Sequence, residues 1–178
     1  LVYDDFLIEE VGALGAFDGE VDFENGNATI SHVEYDSSVA GIVDLTDEAY
    51  QGLDAAVKQR MGNYAMLCDS FAGAEWNEFF NLASTAGIKP NAKYTISFDY
   101  YVLDVGDNAY VQNFARHSSG VSDDVHAPNY RLEIETGDSG TYTGTFETLD
   151  KSNYRWTLGS HNAVKVLIDN IKLVEVTE

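Results

Sequence analysis

Apolar and polar side chains alternate along most of the chain, with the period of two that is typical of β-strands. Glycine, asparagine and proline residues stand between the alternating segments, where turns use them. The pattern predicts strands over residues 64–70, 75–82, 93–103, 109–116, 130–136, 140–148, 153–158 and 164–176. Many short strands at this spacing are typical of a β-sandwich or a β-barrel.

Two further alternating segments, residues 16–23 and 28–35, lie near the start of the chain. The sequence between them contains Asn25-Gly26, and an Asn-Gly pair in this position is the strongest short-range signal for a β-hairpin. We therefore expect these two segments to pair with each other through a tight turn.

One segment has the helical period instead. Apolar residues recur at helical spacing within residues 46–61. Thr46 or Asp47 is a suitable N-cap for this helix, and Gly62 is a suitable residue to end it. The expected fold is all-β, a β-sandwich with one short helix in an inserted loop.

Alternation also sorts the side chains of residues 93–103 into two faces. The first face is apolar and is expected to form the core; it consists of Tyr94, Ile96, Phe98, Tyr100 and Val102. The opposite face mixes polar groups with an aromatic ring; it consists of Thr95, Ser97, Asp99, Tyr101 and Leu103. A sheet surface that contacts sugar has this mixed character.

The next strand leaves two possibilities open. Tyr110, Gln112, Phe114 and Arg116 share one face, and a smaller apolar set lies opposite. Alternation alone does not decide which of the two faces is the core and which is a groove.

Charge is the strongest global property of the chain. The 178 residues include 30 acidic and 10 basic side chains, which gives a formal net charge of −20. Such a surface repels phosphate backbones and anionic lipid, so nucleic acids and membranes are excluded as expected partners. It also disfavours an anionic polysaccharide unless calcium bridges the two, whereas neutral glycans such as starch, xylan or β-glucan fit it.

Cys68 is the one cysteine of the chain, so no internal disulfide can form. Its apolar neighbours predict a small buried side chain.

The sequence has no linker or repeat, and we interpret residues 1–178 as one domain of a mature or excised protein.

Binding a pyranose ring needs an aromatic platform for its C–H face, together with fixed polar groups for its hydroxyls. Trp76 is a candidate platform because it lies between polar residues at a strand start, whereas Trp156 is expected in the core. The full set of candidate ligand-binding residues is Trp76, Tyr101, Asp99, Tyr110, Gln112 and Arg116. Tyr130, Arg131 and Arg155 are expected to have structural roles.

No catalytic motif is present in the sequence. Glu75 and Glu78 are the carboxylate pair that a glycosidase hypothesis would test, but a regular strand would point them to opposite faces.

A metal could be held by four side chains of one polar segment, His117, His126, Asp123 and Asp124. Their spacing fits no zinc pattern, and a solvated loop is the preferred interpretation.

Several segments, in order along the chain, resemble the jelly-roll carbohydrate-binding modules of families four, nine and twenty-two, which are galactose-binding-domain-like. The sequence Ile-Lys-Pro-Asn-Ala-Lys-Tyr-Thr-Ile-Ser-Phe at 88–98 resembles their l-x-P-G-x-x-Y-x-x-S-F strand, with Asn91 in place of glycine. Residues 142–146 (Tyr-Thr-Gly-Thr-Phe), 166–173 (Val-Leu-Ile-Asp-Asn-Ile-Lys-Leu), 62–66 (Gly-Asn-Tyr-Ala-Met) and 5–6 (Asp-Phe) resemble further family elements.

The resemblance implies a jelly roll with a structural Ca²⁺ site formed by Asp5 and Asp169, with Asp4 as a possible further ligand. Leu7 stands where the family has a carboxylate, so one ligand is missing. The resemblance further implies a non-catalytic module that attaches a secreted or cell-surface protein, part of a larger multidomain chain, to a neutral polysaccharide. Two alternatives stay open: a structural or adhesive spacer without a glycan ligand, and a jelly-roll glycoside hydrolase or lyase.

Overall fold

A computed structural model describes residues 19–21, 23–24, 32–117 and 123–177. The strands of these residues are Gly19–Val21 (β1), Val33–Tyr35 (β2), Ala40–Asp44 (β3), Tyr64–Asp69 (β4), Trp76–Leu82 (β5), Lys93–Val105 (β6), Tyr110–His117 (β7), Arg131–Leu132 (β8), Ser139–Glu147 (β9), Tyr154–His161 (β10) and Val164–Glu175 (β11). Ala55–Met61 forms an α-helix (α1), and Glu48–Tyr50 and Ser84–Ala86 form short 3₁₀ turns.

The strands form two antiparallel sheets. The first sheet has the order β3-β4-β11-β6-β9, with β1 paired to the far end of β11, and the second has the order β2-β5-β10-β7-β8. Long connections between the sheets place strands that are distant in sequence side by side. This all-β sandwich confirms the predicted fold class.

The core lies between the two sheets and contains the predicted apolar face of β6. Tyr94, Ile96 and Val102 have no exposed surface, and neither does Trp156 of β10. The rings of Phe98 and Trp156 meet across the two sheets, with centroids 6.0 Å apart. The assignments of the β6 core face and of Trp156 to the interior are therefore confirmed, as is the burial of Cys68.

The predicted N-terminal hairpin is wrong for the described residues. β1 pairs with residues 171–173 of β11 in the first sheet, whereas β2 pairs with residues 80–82 of β5 in the second. The two segments thus contribute to opposite layers of the sandwich. Pairing with a distant strand overrides the local turn signal here, because β1 and β2 each add to the edge of a longer strand in a different sheet. Asn25 and Gly26 lie outside the described residues.

The helix is shorter than the periodicity predicts, and it begins eight residues later. Asp54 is its N-cap, since the Asp54 carboxylate accepts a hydrogen bond from the Ala56 N–H at 2.8 Å. Asp47 makes no side-chain capping bond and precedes only the 3₁₀ turn. Gly62 ends the helix as predicted, with a φ of 68° that favours glycine.

This helix covers the outer face of the first sheet. A second apolar cluster forms beneath it, consisting of Leu45, Val57, Met61, Ala65 and Leu167, with Tyr101 and Leu103 packed against it. The outer face of the second sheet has no helix on it in the described part of the chain. No helix among the described residues is long and apolar enough to cross a membrane.

Candidate functional site

The structure decides which face of β7 is the groove. Val111 and Ala115 are buried in the core between the sheets. Tyr110, Gln112 and Arg116 alternate with them and point outward, where they are partly exposed. Three of the candidate ligand residues therefore share the open outer face of the second sheet.

A β-bulge brings Trp76 to the same face. Leu158 of β10 pairs with Phe80, but the next residue, Gly159, pairs with Glu78, so that Phe79 is an extra residue in β5. Phe79 and Phe80 are both buried, and the alternation of the strand reverses between them. As a result Trp76 points outward, with 54% of its surface exposed.

Gly159 allows the two strands to approach each other at this bulge. A Cβ atom at this position would lie 2.1 Å from the carbonyl oxygen of Asn77, which is far inside van der Waals contact. Only glycine fits so close to a neighbouring backbone. The bulge, and with it the orientation of Trp76, therefore depends on this residue.

Trp76 is the first of a continuous series of stacked rings across the sheet, here called the aromatic row. The ring of His161 lies 4.3 Å from Trp76, and Tyr110 lies 5.1 Å from His161, both measured between centroids. The Arg131 guanidinium lies over Tyr110 at 5.0 Å and over Tyr130 at 5.5 Å. The row crosses from β5 to β8, three strand spacings or about 14 Å.

A cleft of about 620 Å³ lies at the Trp76 end of the aromatic row. Its lining consists of Trp76, Asn77, Glu78, Gln112, Phe114, Arg116, Asp124 and His126. Arg116 lies at its centre and donates two hydrogen bonds to Asp124, at 2.8 and 2.9 Å, and one to Glu78 at 3.0 Å. The Asp124 carboxylate raises the pKa of Arg116, so this guanidinium stays charged and fixed in place.

His126 closes one side of the cleft and stacks on Tyr130, with ring centroids 4.0 Å apart. Burial lowers the pKa of His126; Asp124 opposes this effect, and the nearby Arg131 and Arg116 add to it. The imidazole is therefore neutral at neutral pH, so it offers the cleft one donor and one acceptor.

Asp99 and Tyr101 lie apart from this surface, on the first sheet. Tyr101 packs against the apolar cluster under α1. Asp99 is 8% exposed, and its carboxylate accepts hydrogen bonds from Thr141 and from the Asn170 side chain. The sequence analysis proposed Asp99 and Tyr101 as parts of one binding site with Trp76. In the structure they lie on the other sheet, on the side where the inserted helix packs.

The carboxylates of the glycosidase hypothesis each have a basic side chain beside them. Glu78 contacts Arg116 at 3.0 Å and Arg155 at 3.8 Å. Glu75 lies 3.4 Å from the ring of His161. Neither carboxylate has the desolvated, unpaired environment of a general acid.

Of the proposed calcium ligands, Asp4 and Asp5 lie outside the described residues. Asp169 is fully buried in β11, and one of its carboxylate oxygens accepts the N–H of Asn170 at 2.8 Å. A buried carboxylate is a donor that suits Ca²⁺, a hard cation. The described residues contain no group of three or more His, Cys, Asp or Glu side chains arranged to hold a metal.

The loop after β7 contributes to the site in a way that sequence did not predict. His117 contacts Asp123 at 3.0 Å, whereas Asp124 reaches back into the cleft to bind Arg116. His161, Asp124, Tyr130 and Arg131 are functional candidates that the sequence analysis missed. The outward position of His161 on β10 follows from alternation, but the approach of Asp124 depends on tertiary structure.

No protein-family model matches the chain, and no curated protein matches it. Solved structures with the same fold do exist. The CBM22-1 xylan-binding domain from Paenibacillus barcinonensis Xyn10C superposes with a TM-score of 0.63 at 15% identity, covering 89% of this chain and 94% of that domain.

Two further structures are similar over most of this chain. One is the C-terminal family 22 carbohydrate-binding module of Clostridium thermocellum Xyn10B, with a TM-score of 0.55 and 12% identity over 84% of this chain and 91% of that module. The other is an exo-β-agarase, with a TM-score of 0.53 and 14% identity, of which the match covers 24% against 88% of this chain. The chain therefore has the jelly-roll fold of carbohydrate-binding modules.

Proposed function

We propose that this chain, which has the fold of carbohydrate-binding modules, is a non-catalytic module that binds a polysaccharide chain along the aromatic row and the adjoining cleft. One observation carries the proposal: Trp76 is exposed and continues into a row of rings beside a cleft of fixed polar groups. The exposed ring of Trp76 offers a platform for the C–H face of a sugar ring, and the polar groups can bind the sugar hydroxyls.

Binding without catalysis is favoured by the state of the carboxylates. Glu78 and Asp124, the acidic groups of the cleft, are both hydrogen-bonded to Arg116. Hydrolysis of a glycosidic bond needs one protonated and one free carboxyl group on either side of the bond. Carboxylates held by a guanidinium serve instead to fix the Arg116 donors in place.

The backbone of the polysaccharide is proposed to be neutral, of the starch, xylan or β-glucan type. The net charge of −20 disfavours polyanionic backbones. Xylan is the preferred member of this group because modules described as xylan-binding are among the similar structures. The module is proposed to act outside the cell, as one part of a larger protein, with a structural Ca²⁺ held by Asp5, Asp169 and Asp4.

Fluorescence and affinity electrophoresis test the proposal together. The chain has two tryptophans, and Trp156 is fully buried, so a sugar bound at the site changes the emission of Trp76. Titration with xylan, β-glucan and starch should therefore shift the emission for at least one of them. Trp76→Ala should weaken binding at least tenfold, as expected for an aromatic anchor.

Phe71→Ala is the matched control, because Phe71 is similarly exposed, at 48%, but lies against β3 and β4. It should bind like the wild type. Unchanged binding by a folded Trp76→Ala variant would refute the site. Failure of the wild type to bind any glycan would favour the spacer hypothesis, and sugar release from a polysaccharide would favour the enzyme hypothesis.

A further inference from the structure

Arg131 stands out among the cations of the binding face. The chain has four arginines, and three of them, Arg116, Arg131 and Arg155, lie on the second sheet. Arg116 is bound by two carboxylates, and Arg155 lies 3.8 Å from Glu78. No carboxylate of the described residues lies within 4.0 Å of the Arg131 guanidinium.

The position of Arg131 is nevertheless well defined. Its guanidinium stacks over the rings of Tyr110 and Tyr130, at 5.0 and 5.5 Å from their centroids. Ring faces hold the plane of a guanidinium but use none of its five N–H donors. The donors therefore remain available along the edge of the plane, at the β8 end of the aromatic row.

The acidic groups of the cleft are held by cations other than Arg131. Arg116 binds both Glu78 and Asp124, and Arg155 lies 3.8 Å from Glu78, so two cations face these two carboxylates. Glu34 lies on β2 at the opposite edge of the sheet, four strand spacings or about 19 Å from β8. At physiological ionic strength charges are screened over about 8 Å, so the distant acidic surface does not cancel this site.

We propose that Arg131 binds the carboxylate of a uronic acid side group on the polysaccharide that occupies the aromatic row. The guanidinium has the fork geometry that matches a carboxylate in a bidentate pair. A sugar that contacts the aromatic row at Tyr110 lies beside Arg131, so a carboxylate on a neighbouring side group reaches its free N–H edge. This inference rests on the proposed function and narrows the ligand to a neutral backbone with acidic substituents.

The experiment compares one polysaccharide in two forms, a xylan with glucuronic acid side groups and the same xylan after chemical reduction of its carboxyl groups. The wild type should bind the native form about tenfold more tightly than the reduced form. This preference should shrink as salt is raised, because a partly exposed ion pair is screened. Arg131→Gln should reduce the ratio of the two affinities to about one, and Arg131→Lys should give an intermediate ratio.

Lys151→Gln is the control, because it removes the same unit of charge from a residue just before β10 that is exposed and outside the cleft. It should keep the wild-type ratio. Equal binding of the two xylans by the wild type would overturn the inference, as would a preference that survives in Arg131→Gln with an unchanged circular dichroism melting curve. Failure to bind either form would instead refute the proposed function.

Discussion

The Asn77 side chain forms hydrogen bonds with the turn before Trp76 and with the buried Ser160. Its side-chain oxygen accepts the N–H of Ala74 at 3.0 Å, and its amide donates to the Ala74 carbonyl at 2.9 Å and to Ser160 at 3.3 Å. One side-chain amide thus binds both the N–H and the carbonyl of Ala74, in the turn that precedes Trp76. Asn77 therefore positions the platform.

Asn77→Ala should therefore destabilise the protein by about 1–3 kcal/mol, because it leaves the polar groups of Ala74 and Ser160 without their partner. It should also weaken glycan binding, since the turn no longer fixes Trp76. Urea denaturation and affinity electrophoresis measure the two effects. Asn81→Ala, on the same strand, is the control, because the Asn81 side-chain oxygen has no hydrogen-bond partner. A smaller loss for Asn77→Ala than for Asn81→Ala would contradict this role.

At the scale of elements, α1 determines which face of the molecule is open. The helix and its loop cover the outer face of the first sheet, including Tyr101, and leave the second sheet free. At its N-terminus, the side-chain capping bond is the one that the Asp54 carboxylate accepts from the Ala56 N–H. We therefore expect the Asp54 side chain to contribute to the stability of this short helix, beside the packing of Val57 and Met61.

Asp54→Ala should cost about 1 kcal/mol of stability, the usual price of a lost N-cap. Asp47→Ala should cost much less, because Asp47 makes no side-chain capping bond. Thermal unfolding of the two variants compares them directly. Equal losses would mean that the helix begins near Asp47, as its periodicity alone predicts.

The sequence predicts the positions of the strands better than it predicts which strands pair with each other. Alternation identifies the β6 core face because each buried residue there belongs to one regular strand. Asn91, which stands in place of the family's glycine, adopts a φ of 51°, a left-handed conformation that asparagine tolerates. The pairing of β1 and β2 with different sheets depends on contacts across the sandwich, which no local pattern carries.

The candidate site is predictable only in part, for a similar reason. Tyr110, Gln112 and Arg116 follow from period-two alternation, once one face is known to be buried. Asp124 reaches Arg116 from a loop, and Tyr101 is partly buried against the apolar cluster under α1, so both outcomes depend on tertiary packing. The adjacent residues Phe79 and Phe80 are the one local sign of the bulge that turns Trp76 outward.

At the scale of the whole molecule, the proposed calcium ion would tie the start of the chain to the last strand. Asp169 is buried in β11 opposite Asp99, so two carboxylates face each other across the ladder. Asn170 and Arg60 compensate Asp99, at 2.8 and 3.9 Å. A cation held by Asp169 would further reduce the repulsion within this acidic pair.

EDTA should accordingly lower the melting temperature, because an ion that binds only the folded state stabilises it, by about 2.7 kcal/mol at one hundred times its dissociation constant. Asp169→Asn should abolish the difference between melting curves with calcium and with EDTA. Asp107→Asn, in the exposed turn between β6 and β7, should preserve it. An EDTA melting curve identical to the calcium curve would remove the proposed Asp5, Asp169 and Asp4 site.

The bulge at Phe79 also has an evolutionary consequence. Because strand alternation reverses there, loss of one residue from β5 would turn Trp76 and Glu78 toward the core, whereas most substitutions in the strand would leave them outward. Insertion or deletion within β5 can therefore create or abolish this platform, as can replacement of Trp76 or Gly159. A lineage built on this sandwich can thus gain or lose its ligand surface in a single event, with the remaining strands unaltered.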